Sequence, residues 1–115
     1  MTTLSQAVPQ QDIVIHRGAD EEFFVRWEED RQDGEGYKPK DLTNWSAVFS
    51  LEHAGRKVYE VPCMTDCYGY SIAQIPGITF LDSEWQGRPL GSWRMDGFGP
   101  DGERELLGWG HYEMV

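Results

Sequence analysis

An all-β fold is what this sequence predicts, and three observations carry the prediction. Apolar and polar residues alternate over short runs, turn residues separate those runs at short spacing, and no segment sustains a 3.6-residue period. The clearest run is "WSAVFSLEH" (45–53), which puts Trp45, Ala47, Phe49 and Leu51 on one side of an extended chain and Ser46, Val48, Ser50 and Glu52 on the other. At 115 residues, 39% of them hydrophobic and 13% aromatic, the chain is one globular domain's worth.

The elements follow in order. Residues 1–11, "MTTLSQAVPQQ", are polar, carry a Pro and have little to bury, so a flexible N-terminal arm is expected ahead of a domain over 12–115. "DIVIHR" (12–17) is rich in β-branched residues, and Gly18 follows it as a turn or bulge residue free to take positive φ. "EEFFVRW" (21–27) places Phe23, Val25 and Trp27 on one face and Glu22, Phe24 and Arg26 on the other. The acidic runs at 20–22 and 28–30 read as the solvated ends of that strand, and "RQDGEGYKPK" (31–40) as a polar loop.

"KVYEV" (57–61) joins the strand at 45–53 through "AGR", a short hairpin connection. "YSIAQI" (70–75) stops at Pro76-Gly77, and a single helical turn around Asp82–Trp85 is expected in the weakly patterned stretch 77–89. "GSWRMDGF" (91–98) and "ERELLGWGHYEMV" (103–115) pair across "GPDG" (99–102). The sum is a single antiparallel β-sandwich of about seven to eight strands.

"DLTN" (41–44) launches the strand at 45–53. Asp41 and Thr43 side chains can hold a turn by hydrogen-bonding nearby amides, Leu42 can point inward to pin it, and Asn44 stands where a left-handed residue is convenient.

The formal net charge is −10, from 20 acidic against 10 basic residues. A surface of that sign repels phosphate, so neither nucleic acid nor an anionic membrane is an expected partner. No apolar run is long enough to span a bilayer, and the N-terminus has neither the basic region nor the apolar core of a secretory signal. Synthesis in a reducing cytosol is therefore expected, with Cys63 and Cys67 as free thiols at a loop near a strand end.

The order of these features resembles the small β-sandwich domains of phage tails, typified by the N-terminal domain of baseplate upper proteins and by related small actinobacteriophage virion proteins. The resemblance rests on "IVIHRGADEEFFVRW" (13–27), on the "DLTN" corner, and on "LGSWRMDGFGPDGERELLGWGHYEM" (90–114). The matching positions are Gly18, Asp41, Leu42, Thr43, Gly91, Trp93 and Gly110, while Asn44 stands where that pattern has Gly. The resemblance implies a non-enzymatic virion structural protein, of minor tail, baseplate or connector type. Such a protein is made in the host cytoplasm and docks to other virion proteins, with self-association in a symmetric ring as a further expectation. A head decoration protein and a module binding a host surface glycan are the alternatives.

Chemistry is thinly represented. Cys63 and Cys67 form C-x3-C with no second pair, His16, His53 and His111 are scattered, and no metal site or cofactor is expected. No nucleophile elbow, phosphate loop or H-E-x-x-H occurs, so catalytic residues are not expected either. Five tryptophans remain. Trp27, Trp45 and Trp93 lie in register with apolar neighbours and are expected in the core, whereas Trp85 and Trp109 sit beside turns and are the candidate partner contacts.

Overall fold

The computed structural model describes residues 10–30, 34 and 36–115; residues 1–9 of the expected arm, and 31–33 and 35 of the expected polar loop, lie outside the described residues. Nine strands and one 3-10 turn make up the described fold: β1 (Ile13–Ile15), β2 (Glu21–Arg26), β3 (Glu28–Asp30), β4 (Tyr37–Pro39), β5 (Ser46–His53), β6 (Arg56–Thr65), β7 (Tyr70–Ile75), the turn Ser83–Gly87, β8 (Leu90–Phe98) and β9 (Arg104–Met114).

Seven strands form one sheet in the order β1-β9-β8-β5-β6-β7-β2, and β3 pairs with β4 as a separate hairpin. The sheet bends along β6, which pairs with β5 over much of its length and then with β7 at Met64 and Thr65. The bend carries β2 back over the far half of the sheet. There the Phe23 ring stacks on Phe49, whose ring stacks in turn on Trp93, each pair with centroids 5.8 Å apart. The result is a rolled, nearly barrel-like sheet around one core, in which Ile15, Phe49, Leu51, Met95 and Tyr112 are buried.

The all-β character matches the sequence expectation, but the sheet is mixed. β1 runs parallel to β9, with Ile13 opposite Tyr112 and Ile15 opposite Met114. A parallel pair between the two ends of the chain leaves no local signature in sequence, which is why an antiparallel arrangement was expected throughout. The helical turn expected near 82–85 is present as the 3-10 turn.

Two further corrections concern strands. β3 and β4 form where only solvated ends and loop were expected, because "EED" and "YKP" carry no apolar alternation. β6 runs on through Pro62 to Thr65, so Cys63 sits inside a strand opposite Ala47 rather than in a loop. Pro62 is tolerated because it faces Val48 on the β5 side only, and the β7 ladder begins at Met64.

The β5–β6 hairpin turns on Ala54 and Gly55 at φ 53° and 77°, the two positive values of a type I′ turn. Among the described residues Ala54 is the sole non-glycine at positive φ. Asn44 therefore does not take the left-handed conformation expected of it; the corner closes without it, through the Trp45 N–H donating to Leu42 O at 2.9 Å.

Candidate docking surface

The motif residues of the sequence form a frame and do not converge on one site. Gly18 turns the chain between β1 and β2 at φ 88°. At the corner before β5, the Thr43 N–H donates to Asp41 Oδ1 at 2.9 Å and the Thr43 hydroxyl donates to the same oxygen. Those bonds stabilise the carboxylate and hold the Asp41 pKa below its ordinary value. Leu42 is fully buried, and its N–H donates to Asp66 O at 3.0 Å, tying the corner to the turn that follows β6.

Gly91 and Gly110 are required by close approach. A Cβ at Gly91 would lie 2.3 Å from Glu52 O and 2.4 Å from the Tyr112 ring, and one at Gly110 would lie 1.9 Å from Gln11 O. Trp93 completes that second contact by donating its indole N–H to Gln11 O at 2.7 Å. Gln11 in turn donates its N–H to Trp109 O at 2.9 Å, so the chain just before β1 is fastened to β9.

The two candidate contact tryptophans part company. Trp85 is 5% exposed: the 3-10 turn lays its ring against Phe80, 4.7 Å between centroids, and Arg88 covers it. Its place beside a turn suggested exposure, but the 3-10 turn folds it inward. Trp109 is 39% exposed on the outer side of β9. Trp93 is buried, and Trp27 and Trp45 are half-buried, packed edge-to-face at 5.4 Å under the Lys40 ammonium.

A contiguous row of exposed and half-buried apolar residues lies elsewhere, on the outer face of β6, β7 and β2. Phe24 pairs with Ile72, and Ile72 pairs with Met64, so these three side chains form one row across three strands. Phe24 and Met64 are each 59% exposed. One row along, Arg26 lies opposite Tyr70 with its guanidinium 5.2 Å from the ring centroid, and the Phe24 ring meets the Tyr70 ring edge-to-face. The row on the other side is polar, with the Gln74 amide donating to Glu22 at 3.3 Å. Asp66 fixes the approach to β7 by accepting the N–H groups of Tyr68 and Tyr70, and the Tyr68 ring stands exposed beside the patch. An apolar centre with a polar rim is the anatomy of a protein contact.

Neither a family model nor a curated protein matches the chain.

Other features of the surface carry little chemistry. Among the described residues no three His, Cys, Asp or Glu side chains come together as metal ligands. Cys63 and Cys67 are both free, Cys67 exposed and Cys63 half-buried, and burial pushes the Cys63 thiol up, away from the reactive thiolate. A cleft of roughly 200 Å³ opens between β1 and β2, lined by Gln11, Ile13, Phe23, Val25, Phe49 and Trp93. It is smaller than the usual small-molecule site, while broader, shallower depressions of roughly 620 Å³ beside Glu52, Leu90 and His111 and roughly 490 Å³ beside Asp20 and Glu22 lie open to solvent.

Sequence reasoning missed the exposed row, although one signal for it was present. Phe24 belongs to the same face as Glu22 and Arg26, a large apolar residue on the polar side of its own strand. Met64 and Ile72 could not be joined to it without the register of β6 and β7.

Proposed function

We propose that this protein is a non-enzymatic bacteriophage virion structural protein of the tail, baseplate or connector, built as a β-sandwich with β1-β9-β8-β5 and most of β6 in one layer and the end of β6 with β7-β2 in the other. The outward row Met64–Ile72–Phe24 carries the docking part of this reading. Keeping a Phe and a Met in water on a chain of net charge −10 serves no folding purpose, and covering them with another protein does. The virion assignment rests on the sequence resemblance through Gly18, Asp41–Thr43, Gly91, Trp93 and Gly110. The partner that fits is a protein face apolar at its centre, with polar groups of both signs at its rim to meet Glu22 and Gln74 on one side and Arg26 on the other.

The test is quantification of the chain in density-gradient-purified particles, against the major tail and capsid proteins. A constant copy number per particle is the expected result, and a chain confined to the unassembled fraction overturns the assignment. Replacing Phe24 and Met64 together by Ser should then lower that copy number while the domain stays folded.

A further inference from the structure

β2 ends the seven-strand sheet, and among the described residues no strand pairs with its other side, which faces Gln11 and Ile13 only across the cleft between β1 and β2. Its ladder with β7 uses alternate backbone groups, so the remainder point to the open edge. The sequence of that edge, Glu21-Glu22-Phe23-Phe24-Val25-Arg26, is complementary to itself when read backwards about Phe24.

We infer that two copies of the chain pair through β2, antiparallel, about a two-fold axis passing beside Phe24. In this register Glu22 lies opposite the partner's Arg26, Arg26 opposite the partner's Glu22, and Phe24 opposite the partner's Phe24, all on the outer face. On the inner face Phe23 lies opposite the partner's Val25. The arrangement is isologous, as a closed two-fold contact requires, and both ends of the strand gain an ion pair between directly opposite residues.

No neighbouring register does as well. A one-residue shift sets outward side chains against inward ones. A two-residue shift one way puts Glu22 opposite the partner's Phe24 and Arg26 opposite the partner's Asp20, which lies outside β2 and is already held by the Gly77 N–H. The other way puts Phe24 opposite the partner's Arg26 and Glu22 opposite the partner's Glu28. Charged residues on an edge strand commonly block pairing, but here the opposite charges stand at symmetric positions and favour it. Pairing also merges two short apolar rows into one that runs from Met64 through Phe24 to the partner's Met64. The inference concerns the edge of β2 and holds whatever protein covers its face.

Sedimentation of the full chain at physiological ionic strength tests it. The wild type should reach a mass twice the 13.2 kDa of one chain as concentration rises. Glu22→Arg and Arg26→Glu should each be monomeric, because like charges then face each other, and the double exchange should restore the dimer. Restoration is diagnostic: the double exchange rebuilds the contacts between copies but not the Arg26–Tyr70 and Glu22–Gln74 contacts within one copy. A wild type monomeric at every soluble concentration overturns the inference, as does a folded double variant that stays monomeric. Should the exchanged chains fail to fold, Phe24→Cys in a Cys67→Ser background decides. Mild oxidation should link it across the axis far faster than Glu22→Cys, whose equivalent in the partner lies on the order of 13 Å away along the strand. Equal rates would contradict the register.

Discussion

The two outer faces of the rolled sheet arise from the same alternation and differ in how their apolar residues are arranged. On the flank formed by β1, β9, β8 and β5, a row runs from the buried Ser50 through Arg94 to Trp109, and the next holds Glu52, Ser92 and His111. A third sets the exposed Leu90 and Val14 on either side of Glu113. Arg94 is held by both carboxylate oxygens of Asp96, at 2.8 and 2.6 Å, which raises its pKa further and keeps the charge on that face. On the wing formed by β6, β7 and β2, the corresponding row is Met64, Ile72 and Phe24. Both halves direct apolar residues inward, Phe49 and Met95 from the flank and Phe23 and Ala73 from the wing. The inner faces therefore account for the fold, and the outer face of the wing calls for a reason outside it.

The largest expected effect lies on the flank. Gly110→Ala drives a methyl group into Gln11 O and should cost about 3 kcal/mol in urea unfolding, the upper part of the range for overpacking. A loss below about 0.5 kcal/mol, ordinary for a surface change, would show that β1 and β9 are not drawn together there. On the wing, Phe24→Ser with Met64→Ser should cost at most about 1 kcal/mol, since each side chain is mostly in water. A loss as large as that of Gly110→Ala would make the row part of the fold and erase the contrast between the faces.

Smaller effects are expected at the joints between the halves. Ala54 turns the chain from β5 into β6 at φ 53°, a conformation that an L-residue adopts at a cost, so Ala54→Gly should gain about 0.5 kcal/mol after the flexibility glycine adds to the unfolded chain. At the other joint, Asp41 has a lowered pKa in the fold. Its contribution is present above the unfolded carboxylate pKa and is lost as pH falls through the folded value. Asp41→Ala should thus lower Tm at neutral pH and leave it little changed in acid, where the wild-type carboxylate is itself protonated. An equal drop at both ends of a pH series of thermal melts would contradict the sign.

Legibility in the sequence followed the range of the interaction. β5 and β7 were readable because alternation is local: "YSIAQI" coincides with β7, and "WSAVFSLEH" begins one residue before β5 and ends with it. The hairpin of β3 and β4 was not, since it has no apolar face of its own. Trp85 was misplaced because a 3-10 turn, unlike a strand, gives no periodic cue to which way a single side chain points. The parallel β1–β9 pair joins residues at opposite ends of the chain. The candidate surface was half legible: Phe24 stood on the wrong face of its strand, while Trp109 drew attention as a residue type rather than as part of a row.

Hydroxyl-radical footprinting of Met64 and Trp109, in the free chain and in particles that contain it, tests the central claim most directly. In the free chain both side chains are exposed and should be oxidised, while the buried Met95 and Met114 serve as unreactive controls. In the assembled particle Met64 should be protected and Trp109 should react as before, because the wing's outer face is covered and the flank's is not. A Met64 that reacts equally in both states would contradict the docking surface proposed for β6, β7 and β2.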